Sequence, residues 1–304
     1  MKRGSIALAV LLGTAGLGVT AAAPAAFAAP PPGCQVVDTN ANQSYTALQD
    51  AVNAAAPGDT LFVKGTCTGA VIGENLTITG QSNGGNNNGG TGTLTRGGNL
   101  GTVLYIKSGA TVTINTLTIT GSQFGAIVNA GGTVTINNSA VTDNTNTIGG
   151  LNEGGGIFNA GHGTMTLNNS TVARDTASEG GGIFNIGGST LTLNNSTVTG
   201  NTALGGGGID SQGGTVTLNG SSSVTGNTAT ATNTATNGKG GGMLLDVSRV
   251  TLNDSSSITG NTATVAGGGV YIFSGTVTLN DSSSITGNQP DNCTPLGSVT
   301  GCTG

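Results

Sequence analysis

Hydrophobic and polar residues alternate in a five-residue phrase that recurs through the middle of the chain. The phrase is Thr-x-Thr-x-Asn, with an aliphatic residue or Met at each x, and one copy begins with Arg249 instead of Thr. Its seven copies end at Asn115, Asn137, Asn168, Asn194, Asn219, Asn253 and Asn280. Alternation with a period of two is typical of a strand with one buried face. The spacing of 22 to 34 residues between copies indicates stacked structural units.

Two further segments accompany the phrase in most repeats. One reads Gly-Gly-Gly-Ile-Phe-Asn at residues 154–159 and 180–185, and the other carries Val or Ile and ends in Gly-Asn, as at residues 198–201. Three strands and three turns per repeat predict one rung of a coil. The predicted fold class is all-β, a single-stranded right-handed parallel β-helix (a solenoid) of about eight or nine rungs. Uneven repeat lengths favour the right-handed form, because the left-handed form follows a strict hexapeptide rhythm.

The alternation also assigns side chains to inner columns of this coil. One column is predicted to contain Ile157, Ile183, Ile209, Met243 and Val270. A second column is predicted to contain Val141, Val172, Val198, Val224, Ile258 and Ile285.

Domain boundaries follow from the ends of the repeat. Residues 29–66 are predicted to contain a short capping helix over residues 44–56, followed by a first strand. Residues 67–290 are predicted to form the β-helix, and residues 291–304 a C-terminal closing loop.

The first 28 residues resemble a cleaved signal peptide. They have a basic start, an apolar run and the sequence Ala-Phe-Ala at residues 26–28. The mature protein is therefore expected to be secreted and extracellular. Of the three possible pairings of the four cysteines, we favour Cys34–Cys67 and Cys293–Cys302, because a long β-helix keeps its two ends apart.

Composition and charge narrow the range of partners. Charged residues make up 7% of the chain and aromatic residues 3%, so large side chains cannot fill a compact core. Without Lys2 and Arg3, six basic residues face 13 acidic ones. This balance argues against nucleic acid as a partner and against membrane insertion. We assign no metal and no cofactor, and the oligomeric state is left open.

The start of the repeat region carries a family resemblance. Residues 45–52, 57–63 and 74–80 give a helix-then-strand arrangement that resembles the pectate-lyase-like right-handed parallel β-helix superfamily, over about residues 44–290. The Gly-Gly-Gly-Ile-Phe-Asn phrase is similar to those of bacterial secreted repeat proteins, and distantly to polymorphic outer-membrane proteins. The chain departs from the last group because it lacks the Phe-x-x-Asn pairing and a C-terminal barrel. The resemblance implies the fold, whereas this scaffold carries lyases, hydrolases, adhesins and passive surface proteins.

The resemblance also indicates which chemistry to look for, since lyases of this superfamily use a basic residue as general base and acidic clusters that hold calcium. Calcium is thus implied only under the lyase alternative. Counting back four residues from each inward Ile places Glu153 and Glu179 on adjacent rungs. The weak catalytic candidates are Glu153, Glu179, Asp175, Arg174 and Lys239. The alternative is a solvated loop edge in which Arg174 pairs with Asp143, and we assign no catalytic residue.

The residue after each inward Ile is expected to face outwards. The resulting column contains Phe158, Phe184, Asp210, Leu244 and Tyr271. An exposed aromatic stripe could stack on sugar rings, so Phe158, Phe184, Asp210 and Tyr271 are the predicted ligand-binding residues. The alternatives are a register shift, or cover by the loops at residues 145–152 and 228–239.

Three functions remain compatible with this pattern. The first is a non-catalytic secreted protein that acts in extracellular surface interaction or carbohydrate binding, with a polysaccharide or cell-surface component as partner. The alternative is a polysaccharide lyase or glycoside hydrolase. The third is ice or crystal-surface binding through the outward threonines of the repeated phrase.

Overall fold

The computed structural model describes residues 33–81, 92–97, 101–146, 153–231 and 237–302. The predicted signal peptide lies outside the described residues. Within the described ranges the chain is all-β apart from one helix, and repeated strands stack in parallel into four sheets, as in a β-solenoid.

Sheet A contains the repeated phrase. Its strands, in spatial order, are β2 (Gln43–Tyr45), β1 (Gln35–Asp38), β3 (Thr60–Lys64), β6 (Leu76–Gly80), β9 (Thr111–Asn115), β12 (Thr133–Asn137), β16 (Thr164–Asn168), β20 (Thr190–Asn194), β24 (Thr215–Asn219), β28 (Ser248–Leu252) and β32 (Gly275–Leu279). From β9 to β32 the phrases pair residue for residue, so that Thr111 lies beside Thr133 and Asn115 beside Asn137. The predicted alignment of the repeats is confirmed.

Sheets B and C complete each rung. Sheet B contains β4 (Thr66–Thr68), β7 (Gly92–Thr95), β10 (Leu117–Thr120), β13 (Ala140–Thr142), β17 (Thr171–Ala173), β21 (Thr197–Thr199), β25 (Ser223–Thr225), β29 (Ser257–Thr259) and β33 (Ser284–Thr286). Sheet C contains β5 (Ala70–Ile72), β8 (Leu104–Ile106), β11 (Ile127–Ala130), β15 (Ile157–Ala160), β19 (Ile183–Ile186), β23 (Ile209–Gln212), β27 (Met243–Asp246), β31 (Val270–Ile272) and β34 (Cys293–Thr294).

A fourth sheet was not expected from three strands per rung. Sheet D contains the two-residue strands β14 (Thr145–Asn146), β18 (Thr176–Ala177), β22 (Thr202–Ala203), β26 (Thr228–Ala229) and β30 (Thr262–Ala263). The alanines of its inner column are buried, as Ala203 and Ala229 show. Such strands are too short to produce a detectable alternation, and this explains why the sequence pattern missed them.

The core lies between the sheets and has the predicted inner columns. Ile157, Ile183, Ile209, Met243 and Val270 are fully buried, and the column from Val141 to Ile285 in sheet B is buried as well. Each buried aliphatic side chain contributes about 1.5–3 kcal/mol to folding. Stacking similar aliphatic side chains on successive rungs therefore provides a continuous core, although the chain has few large side chains.

Buried amides line the turn between sheets B and D. We call this column the turn ladder, and it consists of Asn144, Asp175, Asn201, Asn227, Asn261 and Asn288. Asn201 is typical: its side-chain amide donates to Asn227 Oδ1 at 3.0 Å and to the Val172 carbonyl at 3.1 Å. These bonds satisfy polar groups that the turns would otherwise bury without partners.

The N-terminal end is closed by a helix and two antiparallel strands. Helix α1 (Leu48–Ala54) buries Leu48, Ala51 and Val52 against the first rung. The helix is shorter than the predicted 44–56, because Tyr45 belongs to β2, which pairs antiparallel with β1. β1 in turn pairs antiparallel with β3 and covers the edge of that strand. The disulfides are Cys34–Cys67 and Cys293–Cys302, as predicted.

Candidate binding site on the outer face of sheet C

A second layer of chain lies against the outer face of sheet C. Consecutive parallel bridges join Glu153, Glu179, Gly205, Lys239 and Ala266, in the order expected from counting back from the inward Ile. The residue after each of these five is a glycine with positive φ. At Gly180 a Cβ atom would collide with the Ile183 carbonyl, so glycine is needed for this turn to pass so close to the sheet.

The structure contradicts the prediction of an exposed aromatic stripe on the outer face of sheet C. Phe158, Phe184, Asp210, Leu244 and Tyr271 are in register, as the sequence indicated. Phe184, Asp210 and Leu244 are nevertheless buried, and only the two end residues of the column are half-exposed. Because the glycine turns run over the outer face of sheet C, an outward residue there meets a second layer and not solvent. Of the loops considered as covers, residues 147–152 and 232–236 lie outside the described residues.

A small pocket opens where this second layer begins. Its volume is about 170 Å³ and it is lined by Phe124, Val128, Asn146, Glu153 and Phe158. Phe124 is 37% exposed, and the Phe158 ring stacks on Phe184 with centroids 5.7 Å apart. We call this the Phe124–Phe158 pocket. Its two rings, one amide and one carboxyl group suit a ligand with both apolar and polar faces.

Asn146 forms the polar wall of the pocket and is only 4% exposed. Its side-chain amide nitrogen donates to the Glu153 carbonyl at 2.6 Å, whereas its Oδ1 accepts no hydrogen bond from any residue that the structure describes. Sequence analysis missed Phe124 and Asn146, because both lie outside the repeated phrases. The antiparallel bridge between them brings them together.

Carboxyl groups cluster behind the pocket. Burial raises the pKa of Glu153, and the neighbouring Glu179 charge raises it further. Asp210 lies deeper: burial holds its pKa well above the usual value of 3.8, the Glu179 charge adds to this, and the Gln212 amide opposes it. The Gln212 amide also donates to Glu179 Oε2 at 3.1 Å. Asp210 therefore keeps its proton to a higher pH than an ordinary aspartate does.

Lys239 lies in the same column as Glu153 and Glu179, but its side chain contacts two aromatic rings. Its Nζ lies 4.7 Å from the ring centroid of Tyr271 and 5.2 Å from that of Phe273. These two rings pack edge to face at 4.7 Å. Phe273, at the opposite end of sheet C from the pocket, was not predicted from the sequence. Since Gly205 separates Lys239 from Glu179 in the column, Lys239 is two rungs away from that glutamate.

The structure does not assemble Arg174 and Asp175 with the glutamates. Arg174 Nε lies 2.8 Å from Asp143 Oδ1, and both side chains are more than half exposed. The hydrogen bond from Arg174 lowers the pKa of Asp143. Such a surface pair contributes about 0–1 kcal/mol. Asp175 is fully buried in the turn ladder. The predicted grouping of Glu153, Glu179, Asp175 and Arg174 is therefore wrong, and only the two glutamates are neighbours.

Searches of the described residues find no group of three or more His, Cys, Asp or Glu side chains placed to hold a metal ion. Within the same ranges, no helix has the length and hydrophobicity needed to cross a bilayer. Comparison with models of protein families, with curated proteins and with solved structures finds no match to this chain.

Proposed function

We propose that this protein is a secreted carbohydrate-binding protein that does not cleave its ligand. The Phe124–Phe158 pocket is the proposed site, and the observation that carries the proposal is its pairing of two aromatic rings with a buried amide. Sugar rings have apolar faces that stack on aromatic side chains and hydroxyl groups that need hydrogen-bond partners. The proposed scaffold is a right-handed β-helix of about eight or nine rungs, related to the pectate-lyase-like superfamily.

Binding without cleavage is favoured by what surrounds the two glutamates. Glycoside cleavage uses two carboxyl groups in distinct roles, and lyase chemistry needs a basic residue close to the substrate. Lys239 contacts Tyr271 and Phe273, and Arg174 pairs with Asp143. Neither of the proposed basic partners therefore lies beside Glu153 or Glu179.

Secretion is part of the proposal. The two disulfides are compatible with an oxidising, extracellular environment. N-terminal sequencing of the protein recovered from culture medium should give a first residue at about position 29. Retention of the full chain inside the cell would contradict export.

The binding test uses soluble oligosaccharides and isothermal titration calorimetry. Phe158→Ala and Phe124→Ala should each weaken binding at least tenfold, because each removes a stacking surface. Phe273→Ala is the matched control, since it removes an exposed aromatic ring at the other end of sheet C. Unchanged affinity in both pocket variants, with the fold intact by circular dichroism, would overturn the site.

A second candidate is a glycoside hydrolase that uses Glu153 and Glu179. The specific observation is their position on adjacent rungs, together with the raised pKa of Glu153, which suits a proton donor. Incubation with plant, fungal and bacterial polysaccharides followed by a reducing-end assay separates the two functions. Release that disappears in both Glu153→Gln and Glu179→Gln would replace the binding proposal with hydrolysis.

A further inference from the structure

We infer that the Phe124–Phe158 pocket selects an amino sugar in its ammonium form, over neutral sugars and over uronic acids. This inference rests on the proposed carbohydrate-binding function and adds the chemical class of the ligand. It is carried by three features of the pocket: the sign of the surrounding charge, an acceptor without a donor, and the pair of aromatic rings.

The charge around the pocket is negative. Glu153 is part of its wall, and Glu179 lies on the next rung. Among the basic residues, Lys239 contacts two aromatic rings, Arg174 pairs with Asp143, and Arg96 donates to the side chain of Gln123, which precedes Phe124 in the chain. A cleft lined by one sign of charge attracts the opposite charge and repels the same charge. A uronate carboxylate is therefore disfavoured, and an ammonium group is favoured.

The acceptor is Asn146 Oδ1. This atom is buried and, within the described ranges, receives no hydrogen bond, although buried amide oxygens in folded proteins nearly always have a donor. An unsatisfied buried acceptor costs about 1–3 kcal/mol. An ammonium group carries three donors, so it can serve Asn146 and the Glu153 carboxylate together. A hydroxyl group at the same place has a single donor, which can serve one of the two acceptors at a time.

The two aromatic rings complete the match. A ring face attracts a cation placed over it, by about 0.5–2 kcal/mol depending on how far the cation is desolvated. Phe124 and Phe158 line the same small pocket as Glu153 and Asn146. At about 170 Å³ the pocket is small, so we expect it to hold a single amino-bearing sugar unit.

Calorimetric titration with three sets of oligosaccharides tests this selectivity: oligomers of glucosamine, of glucose and of galacturonic acid, at pH 6. The glucosamine oligomers should bind at least tenfold more tightly than the glucose oligomers, and the galacturonate oligomers most weakly. Glu153→Gln should reduce the preference for glucosamine over glucose oligomers to less than about threefold. Glu74→Gln is the matched control, because it removes an equal charge from an exposed turn far along the sequence.

The outcomes separate this inference from the function on which it rests. Equal affinity for glucose and glucosamine oligomers, lost in Phe158→Ala, would overturn the amino-sugar inference and leave carbohydrate binding standing. Tighter binding of galacturonate would also overturn it. Glucosamine binding that falls equally in Glu74→Gln and Glu153→Gln would show attraction to net charge alone, which overturns the pocket. Failure of all three sets to bind would remove the proposed function itself.

Discussion

Asp175 Oδ1 accepts two hydrogen bonds from Asn144, one from the backbone N–H at 2.8 Å and one from the side-chain amide at 2.9 Å. The other ladder positions are asparagines, and their amide nitrogens donate to the next rung. The corresponding atom of Asp175, Oδ2, is buried and has no hydrogen-bond partner among the described residues. Burial raises the pKa of Asp175 well above 3.8, although the bonds from Asn144 oppose this. Asp175 therefore keeps its proton to a higher pH than an ordinary aspartate, at a ladder position where the other rungs have an amide.

Asp175→Asn is expected to stabilise the protein at pH 7 by about 1–3 kcal/mol, since it supplies the missing donor. The folded state binds the Asp175 proton more tightly than the unfolded chain does. Wild-type stability should therefore fall as pH rises from about 3.8 towards the folded pKa, and the variant should lose this slope. Urea unfolding from pH 3 to pH 8 measures both effects. Asn201→Asp, which adds a second acid to the ladder, should destabilise the protein, and a loss of stability in Asp175→Asn at pH 7 would contradict the account.

Glu153 gives ligand binding its own pH dependence. Because burial and the Glu179 charge raise its pKa, Glu153 should become protonated at a higher pH than an ordinary glutamate as the solution is acidified. The affinity for glucosamine oligomers should fall through that range, above the usual value of 4.5. Titrations from pH 4 to pH 7 test this, and Glu153→Gln should give a nearly flat profile. An equally steep profile in that variant would show that the dependence does not arise from Glu153.

Phe184 and Phe158 should respond differently to truncation. Phe184 is fully buried, so Phe184→Ala should destabilise the fold by about 3–5 kcal/mol. Phe158 is half-exposed, so Phe158→Ala should destabilise the fold less than Phe184→Ala does and should weaken ligand binding more. Urea midpoints of the two variants, compared with wild type, measure the difference. Equal midpoints would show that the second layer does not protect the Phe184 ring.

The repeat register was predictable from the sequence because it depends on local alternation. Val134 and Ile136 face inwards wherever the chain runs as a strand with one buried face, and parallel stacking puts them beside Val112 and Ile114. Alternation assigns each residue to one of two faces of a single sheet and carries no information on what covers the outer face. The burial of Phe184 depends on the glycine turn that covers the outer face of sheet C, so it could not be predicted from alternation.

The Phe124–Phe158 pocket could not be predicted from the sequence for a related reason. Phe124 and Asn146 lie in connecting segments outside the repeated phrases of their rungs, and only the path of the chain brings them together with Glu153. A weak signal was present in the sequence, since Phe124 is an aromatic residue outside every assigned inner column.

The two disulfides close loops of different size, with separations of 33 and 9 residues. Removing Cys34–Cys67 by paired serine substitution should cost about 4 kcal/mol from chain entropy, and removing Cys293–Cys302 about 3 kcal/mol. Thermal unfolding of the two double variants should therefore rank the N-terminal bridge as the more important. The reverse ranking would show that the C-terminal bridge supports more of the fold than its own loop.

The threonines on the outer face of sheet A bear on the hypothesis that the protein binds ice. One column of nine threonines is in register, consisting of Thr60, Thr77, Thr113, Thr135, Thr166, Thr192, Thr217, Thr251 and Thr278. The next column is interrupted by Arg249. Threonine is also an ordinary strand residue, so we expect no thermal hysteresis from the wild type or from Arg249→Thr. A freezing-point gap that widens in Arg249→Thr would instead support binding to ice.

The antiparallel start of sheet A bears on how copies of this molecule behave at high concentration. Parallel strands that end in a free edge are templates for fibril growth, because each added strand offers the same edge again. Here β1 runs antiparallel to β3, and the edge strand β2, which pairs antiparallel with β1, is only three residues long. A second copy arriving at this end finds an edge with little length for pairing and an antiparallel strand directly behind it. Polymerisation from the N-terminal end is thereby discouraged, and a fold made almost entirely of parallel strands acquires a defined first layer.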